Sequence, residues 1–235
     1  PGRLFIEDPR NKLFKEFARI VALLKPKIFV MENVARLYSH NNGATRKEIL
    51  HTFQSLGYTV ECQVCDMAQY GVPQHRNRII FIGNLNCKQI TFPAPSTSDF
   101  KTVQDAISSL PVLRAGENSD IPNHNAMHHS AQMLEKMSFV KEGGNRLDIP
   151  VQIRPLSGDS RKYIRYDRNK PSICITGDMR KVFHYEQNRA LTVRELARLQ
   201  SFPDDFVFLG NHISQQQQVG NAVPPKFAES LAYTI

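Results

Sequence analysis

Apolar residues recur at three- and four-residue spacing from Asp8 to Leu24, where Leu13, Phe14, Phe17, Ile20, Val21 and Leu24 fall on one helical face. Lys25-Pro26-Lys27 ends that pattern. Ile28-Phe29-Val30-Met31 is a short, wholly apolar run, which suits a buried strand, and Glu32-Asn33-Val34 follows at its carboxyl end. Helical spacing returns from Arg46 to Leu56, with Ile49, Leu50, Phe53 and Leu56 inward, and Gly57 stops it. Tyr58 to Cys65 reads as a strand and Ala68 to Gly71 as a turn. Ile79-Ile80-Phe81-Ile82 reads as a further strand. Leu13 to Gly83 is thus α, β, α, β, β, the layout of an open α/β sheet domain. Ligands of such sheets bind outside the carboxyl ends of the strands. Glu32 is therefore a site residue or a helix cap, and Asn33 would be the better cap.

The stretch Tyr70 to Gly83, YGVPQHRNRIIFIG, concentrates polar chemistry beside a buried run. If it enters the sheet as a strand, alternation turns Gln74, Arg76 and Arg78 to one face and His75 and Asn77 to the other. Two guanidiniums and an amide would then form a donor array for phosphate or a planar polar ligand. The plain alternative is a charged strand end rimming a sheet.

After Ile90 the pattern changes. Phe92 to Ser98 is a linker by its prolines and serines, and Val103 to Leu110 is a short helix closed by Pro111. Arg114 to Arg168 is polar and broken, with the form of a separate irregular domain. Order returns at Thr192, an N-cap with Glu195 three residues on, heading a helix to Leu199. Gln218 to Pro225 reads as a tight turn into a last helix, Lys226 to Tyr233. The expected division is 1–95, 96–190 and 191–235.

Composition adds a partner class. The 235 residues are 41% apolar, enough for a sizeable core, and carry a net charge of +8. That balance favours a polyanion, nucleic acid first. The basic tract Arg161 to Lys170, with Tyr163 and Tyr166 interleaved, suits a nucleic-acid backbone or a solvated loop. No apolar run approaches membrane-spanning length. Cys62 and Cys65 have CxxC spacing but no second pair, and they read as small hydrophobes. His124, His128 and His129 lack an acidic or Cys partner at ligand spacing, so they read as surface polar residues and no metal is expected. Few cysteines and no secretion signal point to an intracellular, reducing compartment, and the positive charge to association with nucleic acid there.

Four stretches together resemble the DNA (cytosine-5)-methyltransferase family. Met31-Glu32-Asn33-Val34 is similar to its catalytic glutamate motif, and Gln74-His75-Arg76-Asn77-Arg78 to its Gln-x-Arg-x-Arg motif. Leu191 to Asp204 and Gln218 to Pro225 are similar to its last two motifs. Their order is the family's, with the variable segment between the second and third. The resemblance implies the later part of a doubly wound, S-adenosylmethionine-dependent α/β sheet domain, a small irregular target-recognition domain, and a C-terminal segment returning to the first. It implies methyl transfer from S-adenosylmethionine to C5 of a cytosine flipped out of double-stranded DNA. Carried over by motif, Glu32, Arg76 and Arg78 are catalytic, and Leu13, Asn221 and Ala222 touch the cofactor. Gln74, Arg78, Arg165 and Thr176 meet DNA.

Two family features are missing. No Cys here follows a Pro, so the Pro-Cys nucleophile motif is absent, as is the glycine-rich cofactor loop. The expectation is the back part of a methyltransferase that needs its N-terminal part, in cis or as a second subunit, and is inactive alone. The competing expectation is a non-catalytic DNA-binding or regulatory subunit with the same fold.

Overall fold

The computed structural model describes residues 13–86, 89–96, 99–156 and 162–235. Residues 8–12 of the first expected helix, Cys87, and Arg161 of the basic tract lie outside the described residues. The chain forms two compact units. Unit 1 takes Pro1–Asp66, Asn77–Ala94 and Leu231–Ile235, and unit 2 takes Met67–Arg76 and Pro95–Ser230. Residues 96–190 and 191–230, expected as separate segments, thus share unit 2; of the C-terminal segment, only Leu231–Ile235 joins unit 1.

Unit 1 is an α/β layer. Helix α1 is Leu13–Leu24, strand β1 Ile28–Val34, helix α2 Ala44–Ser55, strand β2 Thr59–Asp66 and strand β3 Asn77–Asn84. The strands lie in the order β1-β3-β2, with β3 antiparallel to both neighbours. One sheet face carries Phe29, Met31, Val60, Ile79 and Phe81. It is packed by Phe14, Ala18 and Val21 of α1 and by Ile49 and Phe53 of α2. The inner stripe of α1 is narrower than its sequence suggests. Phe14, Ala18 and Val21 run along one line of the helix, whereas Leu13 is 60% and Leu24 73% exposed. Phe29 anchors the face, its ring 4.4 Å from Phe53 and 5.1 Å from Tyr58. It lies over Gly83, its cross-strand partner, where an added Cβ would fall 2.1 Å from a ring carbon.

Unit 2 has fewer regular elements and a continuous core. Its helices are α3 (Val103–Ile107), α4 (Ala131–Phe139), α5 (Val193–Leu199) and α6 (His212–Asn221); α7 (Pro225–Ala232) begins in it. Strands β4 (Ile164–Arg165) and β5 (Val182–Phe183) pair in parallel. Core side chains include Val103, Ile107, Ile175, Leu191, Leu196, Leu199 and Val219. The Thr192–Glu195 capping box forms as expected and starts α5. The expected turn from Gln218 does not: α6, capped by Asn211, runs through to Asn221. His124 is not a surface residue either. It is buried, with ring nitrogens 2.9 Å from Thr192 Oγ1 and 3.0 Å from the Pro111 carbonyl.

Candidate functional site

Glu32 sits near the carboxyl end of β1, with an apolar strand behind it. The register places Val34 opposite Arg78 and Glu32 opposite Ile80. Glu32 and Arg78 are therefore diagonal neighbours on one sheet face, within reach of long side chains. Arg78 Nε donates to Glu32 Oε1 at 2.7 Å, and both side chains are partly exposed, at 14% and 26%. The helix-cap alternative for Glu32 falls away. The short helical turn that follows, Ala35–Tyr38, has Val34 as its cap residue and no side-chain cap bond. Asn33 Oδ1 accepts instead from Val34 N.

Gln74 and Arg76 are placed differently from Arg78, which corrects the expected three-residue strand face. Strand β3 begins only at Asn77. Before it, the chain makes a helical turn over Met67–Tyr70 and a parallel bridge between Gln74 and Ser172. Gln74 and Arg76 are buried inside unit 2. Gln74 Nε2 donates to Gln200 Oε1 at 2.7 Å and to the Leu199 carbonyl at 3.3 Å, while Gln74 Oε1 accepts from Ile175 N at 2.9 Å. Arg76 donates to the carbonyls of Ile175 at 3.0 Å, Gly220 at 3.0 Å and Ala222 at 3.1 Å. Of the donor array foreseen for an external ligand, Gln74 and Arg76 are turned to internal acceptors, and Arg78 alone stands beside Glu32.

Thr176 is half-buried next to Ile175 and close under α6: a Cβ on Gly220 would come within 2.5 Å of its carbonyl carbon. Asn221 is exposed at the end of α6 and Ala222 is half-buried, both in unit 2; Leu13 is exposed in unit 1. An exposed amide on a rigid helix end and an exposed apolar side chain are group types that fit the adenosine and amino-acid parts of S-adenosylmethionine.

Arg165 departs from its expected role at DNA. Its guanidinium is buried and donates to the carbonyls of Val140, His184, Gln187 and Met137 and to Asn188 Oδ1, at 2.6–2.8 Å. Five N–H groups meet five acceptors, which leaves none for a phosphate. Tyr166 is buried as well, which corrects its reading as an interleaved contact residue, while Lys162 and Arg168 are half-buried and Lys170 is exposed. Lys162 pairs with Asp178 at 3.2 Å, Arg168 with Glu142 at 2.9 Å, and Lys170 with Asp167 at 2.9 Å.

A buried ionic cluster was not foreseen. Arg189 grips Glu195 through two bonds, at 2.6 and 2.8 Å, with both side chains 1% exposed. Burial is the largest single influence and would raise the Glu195 carboxyl; the bond from Arg189, its charge, His184 and the Thr192 N–H together outweigh it and hold the pKa below the ordinary value. His184 lies 3.8 Å from Glu195, and burial drives its pKa down to about 4. The Thr192–Glu195 spacing pointed to the cap, but no local signal pointed to Arg189 as Glu195's second partner.

A profile of C-5 cytosine-specific DNA methylase matches residues 2–235. The chain belongs to the C-5 cytosine-specific DNA methylase family. It is 66% identical over 234 residues to Type II methyltransferase M1.HphI of Haemophilus parahaemolyticus, covering 100% of this chain and 63% of that protein. It is 36% identical over 241 residues to Type II methyltransferase M.NgoFVII of Neisseria gonorrhoeae, covering 98% and 64% respectively. The chain thus spans less than two thirds of the length of either relative. Among solved structures, a prophage-encoded E. coli protein described as a DNA modification methyltransferase superposes with a TM-score of 0.76. The match is 24% identical and covers 95% of this chain and 73% of that one. That likeness shows the α/β methyltransferase fold.

Among the described cysteines none follows a proline, as the family's nucleophile does. Cys62 and Cys65 stand on β2 opposite Phe81 and Arg78, an odd spacing that turns them to opposite faces and separates them as a pair. Burial pushes the Cys62 thiol up. Cys174 belongs to unit 2, with its sulfur 3.5 Å from Arg76 Nη1. Among the described residues no group of His, Cys, Asp and Glu is set to hold a metal ion, and no helix is long and apolar enough to cross a membrane.

Proposed function

We propose that the complete protein methylates C5 of a cytosine flipped out of double-stranded DNA, and that this chain carries the acid side of that site. The Arg78–Glu32 ion pair at 2.7 Å carries this reading. Addition of a thiolate to C6 forms an S–C6 bond and pushes the C5–C6 electron pair into the ring. A group that gives a proton or hydrogen bond to N3 lowers that barrier. Glu32 takes this role as the carboxylic acid, giving the proton on Oε2 to N3, while Arg78 Nε donates to Oε1 and orients the group. S-adenosylmethionine supplies the methyl group as an electrophile when bound, and Leu13 and Asn221 are the residues assigned to it by motif. Loss of the C5 proton to water, with the N3 proton returned to Glu32, then re-forms the C5–C6 double bond and expels the thiolate.

The thiolate is assigned to a Pro-Cys segment that joins these residues from the N-terminal part, in cis or as a second subunit. No Pro-Cys pair occurs in the 235 residues. The segment 96–190 is the target-recognition domain in this reading, with Lys162, Arg168, Lys170 and Thr176 toward the DNA backbone. An intracellular, restriction–modification setting accords with the Type II names of the relatives.

The test is Glu32→Gln in the complete protein, assayed with labelled S-adenosylmethionine and unmethylated DNA. Methyl transfer is expected to fall about a hundredfold or more, with the DNA dissociation constant changed by less than about twofold. Turnover near wild type would overturn the acid assignment. A complete protein that binds DNA but transfers no methyl group would instead favour a regulatory subunit.

A further inference from the structure

A helix that ends leaves carbonyls without intrahelical partners, and these must be met from elsewhere when buried. Helix α6 ends at Asn221, and Ala222 leaves it in an extended conformation, φ −70° and ψ 151°. Two buried side chains from distant segments meet its last carbonyls. Gln200 Nε2 donates to Val219 O at 2.7 Å and to Ala222 O at 3.2 Å. Arg76 Nη2 donates to Gly220 O at 3.0 Å and to Ala222 O at 3.1 Å. Gln200 is itself oriented, because its Oε1 accepts from Gln74 Nε2 at 2.7 Å. None of the three side chains is more than 2% exposed. On the remaining side, Gly220 packs against the Thr176–Gly177 backbone so closely that no Cβ would fit.

The backbone of the Gly220-Asn221-Ala222 turn is therefore held by fixed donors, while the Asn221 side chain is left exposed. Donors of this kind set the direction in which an exposed amide points, at little cost on binding. We infer that Gln200 and Arg76 are positioning residues for the cofactor-side turn Asn221–Ala222, with Arg76 acting through Ala222 and Ile175 rather than on the base. This rests on the reading of Asn221 as a cofactor contact given above. Arg76 reaches the Ile175 carbonyl through its other terminal nitrogen at 3.0 Å, so one guanidinium ties the segment carrying Thr176 to the turn carrying Asn221. A lysine in its place would bring one ammonium and could not span both.

The test uses the complete protein and measures S-adenosylhomocysteine affinity by calorimetry, beside cofactor KM, kcat and DNA affinity. Gln200→Met keeps the volume and removes the hydrogen bonds. It is expected to raise the S-adenosylhomocysteine dissociation constant and the cofactor KM about tenfold, and to change kcat and DNA affinity far less. Gln200→Glu supplies the second variant. Ionised, it faces the carbonyls of Val219 and Ala222 with a carboxylate; protonated, its single O–H restores a donor to one of them. Its deficit in S-adenosylhomocysteine affinity is expected to shrink as the pH is lowered, with circular dichroism confirming the fold at each point. Arg76→Lys is expected to weaken S-adenosylhomocysteine binding as well. Unchanged affinity in folded Gln200→Met, and in Gln200→Glu at every pH, would overturn the inference. A loss of kcat in Arg76→Lys with unchanged affinity would return Arg76 to the base. Asn221→Ala separates the two layers. If it weakens binding and the Gln200 variants do not, only the positioning role fails. If it too leaves binding unchanged, the cofactor placement itself fails.

Discussion

Ile175 N donates to Gln74 Oε1 at 2.9 Å across 101 residues of chain, in a fully buried setting. Gln74 is thus an internal brace of unit 2, with Gln200 Oε1 and the Leu199 carbonyl as its other partners. Gln74→Leu would keep the bulk and leave buried polar groups of Ile175 and Gln200 unmet. The expected cost is roughly 2–4 kcal/mol, since each stranded group costs about 1–3 kcal/mol. Urea unfolding should show a lower midpoint with an unchanged slope. A midpoint close to wild type would mean that the brace contributes little.

The Gly83–Phe29 contact makes a second prediction. A Cβ on Gly83 would fall 2.1 Å from the Phe29 ring, which is flanked by Phe17, Phe53 and Tyr58. The ring has nowhere to retreat, so Gly83→Ala should destabilise by about 1–3 kcal/mol through overpacking. Adding Phe29→Leu should recover part of that loss. A double-mutant cycle in thermal unfolding measures the coupling, and strict additivity would remove the steric explanation.

Why Arg78 was legible as a partner-seeking residue and Arg76 was not follows from where the strand starts. Alternation is a sound rule inside β3, and from Asn77 onward it holds: Ile79 and Phe81 face the α1–α2 side. Extended back to Gln74, it assumed regular pairing that the Gln74–Ser172 bridge replaces. That bridge joins residues about a hundred positions apart, and no local spacing encodes it. Helix α2, strand β1 and the Thr192 cap were legible because each rests on neighbours within a few residues. The fates of Arg165, Arg189 and His124 were not legible in this way. The partners of Arg165 and His124 are distant in sequence, whereas Arg189 closes on Glu195 only six positions on, a spacing that no capping or periodicity rule singles out; composition counts all three as surface charge or polarity.

Acid should weaken unit 2 in a definite window. The pKa of His184 is pressed to about 4 by burial, against an ordinary 6.5, with Glu195 opposing and Arg189, Arg165 and His124 assisting. The folded state binds that proton more weakly than the unfolded chain. The stabilisation is therefore fully present above about pH 6.5 and is lost as pH falls through about 4, a loss on the order of 3 kcal/mol. The lowered Glu195 pKa acts in the same direction as pH falls below its ordinary value of 4.5, because protonation breaks the Arg189 pair. His184 Nδ1 accepts from the backbone N–H groups of Glu186 and Gln187. His184→Asn keeps an acceptor there and cannot titrate. Denaturation midpoints should fall between pH 6.5 and 4 in the wild type and fall less in the variant. Parallel curves would place the acid sensitivity elsewhere.

The remaining prediction concerns the polyanion. Among the basic residues first read as DNA-binding, Arg165 is spent inside unit 2, while Lys162 and Arg168 are half-buried and Lys170 is exposed. Arg168 is held by Glu142 and lies over the Tyr185 ring, 4.9 Å from its centroid, so its position is set before any phosphate arrives. Each of the three already has a carboxylate partner, and a phosphate would compete with that partner for the same donors. If they meet the DNA backbone, neutralising them should lower affinity and reduce the slope of log affinity against log salt, by about 0.9 for each phosphate that is no longer neutralised. Arg165→Lys is the contrasting variant. It should lower unfolding stability, because one ammonium cannot satisfy five acceptors, and leave the salt slope of the folded protein as it was. The reverse pattern, a slope that responds to Arg165 and ignores the other three, would move the DNA surface away from this face of unit 2.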